Sequence, residues 1–109
     1  MDIEMIREKL ATDNRWLVRG IVAIYERQTF DEQQSLQTSH DNGVGFNGVD
    51  ANIMSSFAQQ IQRWEKMDPT RRYPNPLSDK QLAIARKKMG KYAKQLAAIA
   101  EAKTASVAA

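Results

Sequence analysis

Lys80, Arg86, Lys87, Lys88, Lys91 and Lys94 are crowded between positions 80 and 94. Ammonium and guanidinium groups at this density suit phosphate binding. Neutralised phosphates release condensed counterions, so such binding is largely sequence-independent and weakens steeply with salt. Just upstream, Arg71 and Arg72 add two cations for a nucleic-acid backbone, and Tyr73 adds a ring on which an unpaired base can stack. On a helix at 100° per residue, Lys80, Lys87, Lys91 and Lys94 fall within about 60° of one another, with Arg86 and Lys88 on the flanks. Acids are scarce along this stretch, being only Asp79 at its start and Glu101 near its end, so few i,i+4 partners exist to neutralise the ridge. The same ridge also fits a solvated face that keeps the protein soluble, or a surface for an acidic protein partner.

Other candidate chemistry is weaker. Gly43-Val44-Gly45-Phe46-Asn47-Gly48 matches G-x-G-x-x-G. The dinucleotide fingerprint needs a preceding strand within a βαβ unit, and the upstream segment is polar and helical in pattern. Asp50 would also place a carboxylate where the anion should sit, at the N-terminus of the next helix. No Gly-Lys-Ser or Gly-Lys-Thr follows, so the phosphate-loop pattern fails too. The expected role is local: Asn42-Gly43 and Asn47-Gly48 supply positive-φ turn positions, and Val44, Phe46 and Val49 tuck onto the core. His40-Asp41 is the one obvious metal or acid–base pair, and with a single histidine and no cysteine it reads as a solvated loop. No nucleophile, base or paired-carboxylate constellation stands out. The chain reads as a non-enzyme with no cofactor and no metal.

The elements that must position these residues follow from apolar spacing. Ile3, Ile6 and Leu10 form one stripe of a short helix, and Thr12-Asp13-Asn14 marks a break. Trp16, Leu17, Val18, Ile21, Val22, Ile24 and Tyr25 cover more than one face, which predicts the most buried helix. Gly20 inside it suits close approach by another helix. Thr29-Phe30-Asp31-Glu32 reads as a capping box opening a short polar helix to about Gln37. Asp50 is placed to cap a helix whose apolar face is Met54, Phe57, Ile61 and Trp64. Asp68–Leu77 carries all three prolines and reads as a semi-rigid connector. Ser78-Asp79-Lys80-Gln81 is a second capping box. It opens the longest helix, whose seam is Leu82, Ala85, Met89, Tyr92, Leu96 and Ile99. From 79 to about 103 that helix would span roughly 37 Å, so its end either projects or packs on a second chain.

The chain has 109 residues, a net charge of +3 and no cysteine. That length suits one domain with a modest core of its own, and no disulfide. No apolar run approaches the ~20 residues needed to span a bilayer, and the amphipathic N-terminus does not read as a signal peptide. A soluble cytoplasmic protein that avoids membranes is expected. Residues 1–49 hold five basic and eight acidic side chains, whereas residues 50–109 hold eleven and five. The second half is therefore the candidate surface for an anionic partner.

Three stretches together resemble a small helical module of phage and prophage proteins, one found alone or beside helicase-like, DNA-processing proteins. They are Asn42–Ala51, Leu77–Gln81, and Ile84–Met89 with Lys91-Tyr92. The similarity is strongest over residues 42–96. It implies a phage-type DNA transaction or a host-interaction setting, and hence the host cytoplasm.

The expected architecture is all-α, a small bundle of about four or five helices with a long C-terminal helix. Residues 1–103 form one domain and 104–109 a frayed alanine-rich tail. The expected core is Leu17, Ile21, Ile24, Phe57, Ile61, Trp64, Leu82, Met89 and Leu96. The expected function is a non-enzymatic nucleic-acid-binding accessory whose Lys80, Lys87, Lys91 and Lys94 meet phosphates, helped by Arg71, Arg72, Tyr73, Arg86 and Lys88. The alternative is a protein-interaction module or inhibitor of a host complex, homodimeric through a stripe at Tyr92, Leu96 and Ile99.

Overall fold

A computed structural model of the protein describes residues 2–35 and 45–108, with side chains over 2–28 and 45–103. His40, Asp41 and Gly43 lie outside the described residues, as does Val44. The described residues are helical with no strand. In chain order they form α1 (Ile3–Thr12), α2 (Asn14–Ser35), α3 (Ala51–Glu65), α4 (Asp79–Met89), a 3₁₀ turn (Gly90–Tyr92) and α5 (Ala93–Ala108). The protein is thus a small helical bundle with a long C-terminal helical run.

The ends of the helices follow their capping residues. Asp2 opens α1 by accepting from the Glu4 N–H at 3.0 Å. Asp13 turns extended after α1, and its carboxylate accepts from the Arg15 N–H at 2.9 Å, so one residue separates α1 from α2. Ser78 and Gln81 make the expected reciprocal box at the start of α4. Gln81 also exchanges amide hydrogen bonds with Gln60 of α3, at 2.9 and 3.1 Å, and Gln60 donates to the Pro76 carbonyl at 2.8 Å. These bonds pin the proline connector to α3.

One expected boundary is corrected. Thr29-Phe30-Asp31-Glu32 does not start a helix, because α2 runs through it to Ser35. Inside a continuous helix each N–H already has a carbonyl four residues back, so no orphan donor is left for a cap to satisfy. The long C-terminal helix tightens at Gly90–Tyr92, although its backbone stays right-handed, with φ −55° and ψ −36° at Gly90. Residues 104–108 belong to α5, and Ala109 lies outside the described residues.

α2 is the central element, packed by α1, α3, α4 and α5. Leu17, Ile21 and Ile24 are fully buried on it, against Ile6 and Leu10 of α1, Met54 and Ile61 of α3, and Ala85 and Met89 of α4. Gly20 sits where three of these helices converge. A Cβ there would lie 3.2 Å from Leu10 and Met89 side-chain atoms and 3.3 Å from Leu96, the close packing its position in the sequence suggested. The core differs from expectation in three places. Trp64 is only half-buried, since it stands on the last turn of α3 beside the connector. Leu96 is half-buried at the margin, and the small residues Ala93 and Ala97 are buried instead. Val49 is 86 % exposed, whereas Phe46 is fully buried.

Two glycines give opposite expectations. Gly45 has φ +84°, and a Cβ on it would lie 2.4 Å from the Gln28 Cβ. Gly45→Ala should therefore lower unfolding free energy by about 1–3 kcal/mol or more. Gly90 has helical dihedrals and open space around its Cα, so Gly90→Ala should raise it by up to about 1 kcal/mol. Denaturant melts of the two variants check both signs.

Candidate nucleic-acid interface

The basic residues are best placed by starting with the acid among them. Asp50 precedes α3, but its side chain makes no capping hydrogen bond. That work belongs to Asn47, whose side-chain oxygen accepts from the Asp50 N–H at 2.9 Å and whose carbonyl accepts from the Ala51 N–H at 2.9 Å. The Asp50 carboxylate turns inward and is fully buried. It accepts from the Tyr92 hydroxyl at 2.6 Å and pairs with Lys91 Nζ at 2.8 Å and Lys88 Nζ at 3.2 Å. Tyr92 Oη in turn accepts from the Asn47 N–H at 3.1 Å.

The rest of this loop is fastened the same way. Gln95 of α5 accepts from the Gly45 N–H and donates to its carbonyl, each at 2.9 Å. Gln28 of α2 accepts from the Phe46 N–H at 3.0 Å. The Phe46 ring meets Tyr92 edge-on, with centroids 5.4 Å apart. The amides of Gly45, Phe46 and Asn47 are thus already engaged, which removes the donors a phosphate cradle would use. Over its described part the glycine motif is scaffold.

Charge states follow from this geometry. Burial pushes the Asp50 carboxyl up, but hydrogen bonds from Lys91, Tyr92 and Lys88 and the Lys91 charge outweigh it, so its pKa lies below the usual value of 3.8. Burial and the hydrogen bond to Asp50 push the Tyr92 hydroxyl well above its ordinary range.

Lys80, Lys87 and Lys94 are exposed, and no carboxylate among the described residues answers them. Lys91 and Lys88 are not free ammonium groups, because both are held by Asp50, and Lys88 is half-buried. Arg86 is exposed and donates to the Asn14 side chain of α2. Arg72 is committed locally, with its guanidinium 3.7 Å from the Trp64 ring centroid and donating to the Trp64 and Glu65 carbonyls. It closes the C-terminal end of α3. Arg71 is exposed, and Tyr73 is 79 % exposed while its carbonyl accepts from Trp64 Nε1 at 2.7 Å. Tyr92, expected on an exposed dimer stripe, is buried against Asp50 and Phe46.

Sequence reasoning missed Asp50 as the partner of two lysines. A usable signal was present: Asn47, three residues before Asp50, is itself a side-chain acceptor suited to a helix start, so Asp50 need not serve as one. Among the described residues no cluster of His, Cys, Asp or Glu is arranged to hold a metal ion, and no helix is long and apolar enough to cross a membrane. The chain matches no known family model, no curated protein and no solved structure.

Asp50→Asn should cost about 1–3 kcal/mol at neutral pH by weakening a buried acceptor. Because the folded pKa of Asp50 is depressed, its contribution is complete above pH 3.8 and is lost as pH falls through the folded value. The parent should therefore lose more stability than Asp50→Asn on acidification below pH 3.8, and the two melts should converge there. Parallel acid limbs would contradict the assignment.

Proposed function

We propose that this protein is a non-enzymatic accessory that docks nucleic-acid phosphates on Lys80, Lys87 and Lys94, in a phage-type DNA transaction. One observation carries the reading: three exposed lysines, seven residues apart, with no carboxylate among the described residues to answer them. Seven residues is about 10 Å along a helix, and an unbroken helix would turn Lys94 about 40° away from Lys80. The 3₁₀ turn at Gly90–Tyr92 does not break the rod, since Gly90 keeps right-handed helical dihedrals of φ −55° and ψ −36°. The three ammonium groups therefore keep one side of the rod. Exposed Arg71 and Tyr73 lie in the connector just before α4 and would hold backbone and stack a base. Lys88, Lys91 and Arg72 support the frame instead of the ligand, and Arg86 is shared with Asn14. The phage setting rests on the three motif stretches alone.

A second reading, a protein-interaction module, is favoured by a partly apolar groove lined by residues of α2 and α5. A homodimer through Tyr92 is not favoured, since that ring is spent inside the chain.

The test is an electrophoretic shift with single- and double-stranded DNA at two salt concentrations. The parent should bind, more weakly at high salt. The triple variant Lys80→Gln, Lys87→Gln and Lys94→Gln should weaken binding similarly for all sequences. It should also lower the log–log salt slope on duplex by about 2–3. A parent that shifts no DNA at low salt, or a triple variant that binds like the parent, sinks the reading.

A further inference from the structure

The cleft between α2 and α5 has an apolar floor and a basic rim. A hollow of about 560 Å³ is lined by Trp16, Gly20 and Ala23 of α2 and by Leu96 and Ile99 of α5. A second hollow of about 410 Å³ shares Ile99 and Lys103 with it and reaches Arg27. Trp16, Gly20, Ala23 and Arg27 recur at helical spacing on one face of α2, so the two hollows form one groove roughly 16 Å long.

The rim is charged and one-sided. Arg15, Arg19 and Lys103 line the first hollow, are exposed, and meet no carboxylate among the described residues. Asp13 is the one acid there, and its carboxylate already caps α2 through the Arg15 N–H. Arg27 is half-buried and donates to the Gln95 carbonyl, so it too lacks an acid among the described residues. A tryptophan flanked by arginines has the composition of an interface hot spot.

We infer that this groove docks an acidic amphipathic helix of another protein. Its length accommodates about three helical turns, with apolar side chains at i, i+3, i+4 and i+7 over Trp16, Ala23 and Ile99. Carboxylates on the flanks of that helix would answer Arg15, Arg19 and Lys103. A second copy is the poorer occupant. Two-fold pairing of the groove with itself would set these cations against their own counterparts, and such like-charge juxtaposition is unfavourable. The site is separate from the lysine row: Leu96 is 200° around the helix from Lys94.

The probe is a labelled three-turn peptide with leucines on one face and glutamates on its flanks, titrated onto the full chain by fluorescence anisotropy. Two controls are a scrambled peptide of equal composition and a peptide with lysine in place of glutamate. The designed peptide should bind and both controls should bind at least tenfold more weakly. Arg19→Glu with Lys103→Glu, both exposed positions, should weaken the designed peptide at least tenfold. The triple glutamine variant of the lysine row should leave it unchanged. The inference is overturned if the designed peptide does not bind, if it binds no better than either control, or if the lysine-row variant abolishes binding. Sedimentation of the parent should show a monomer. A dimer that dissociates on Arg19→Glu with Lys103→Glu would place a second copy in the groove and equally overturn it.

Discussion

A carboxylate with no access to water must be answered by the protein itself, and in this chain that constraint falls on Asp50. Unpaired, a buried charge would cost several kcal/mol. Its partners come from the far end of the sequence, namely the hydroxyl of Tyr92 and the ammonium groups of Lys88 and Lys91. Satisfying one carboxylate therefore fixes the start of α3 against the turn that joins α4 to α5. Asn47 completes the arrangement. It caps α3 in place of Asp50 and gives its own N–H to Tyr92. Gln28 and Gln95 extend the same logic to Phe46 and Gly45. The result is a polar clasp around one buried aromatic ring, with no buried side-chain nitrogen or oxygen left unpartnered among the described residues.

The clasp also sorts the basic side chains. Six cations between positions 80 and 94 look alike in the sequence, but they divide by what lies across from them. Lys88 and Lys91 face α3 and are spent on Asp50. Arg86 faces α2 and reaches Asn14. Lys80, Lys87 and Lys94 are exposed and meet no carboxylate among the described residues. In the connector, Arg72 lies on Trp64 while Arg71 and Tyr73 stay exposed. Paired and unpaired charges are thus interleaved along a single helical run. Packing against neighbouring elements separates them, and residue type does not.

A second consequence comes from Gly20. By letting Leu10, Met89 and Leu96 approach α2, it brings three helices together against α2. Leu96 belongs both to this close packing and to the lining of the groove between α2 and α5. The bundle thereby carries two basic surfaces of different character: an open row of lysines, and a cleft that joins apolar floor to cationic rim.

The apolar spacing, the break at Asp13, the Ser78–Gln81 box and the proline connector were all legible in the sequence, because each depends on residues within a turn or two of one another. So was the all-helical class, since periodicity is a local property. Three things were not. Thr29–Glu32 carries the chemistry of a helix start, yet a helix already under way leaves it nothing to cap. Leu96 and Trp64 match the apolar stripes, but how deeply a stripe is covered depends on which helix crosses it. The fates of Lys88 and Lys91 turn on a carboxylate 38 and 41 positions away. Local chemistry determined which segments became helices and where most of them ended. Only the tertiary structure decided which charges met a partner, because pairing depends on distance in space and burial, and neither is written in the spacing of residues along one helix.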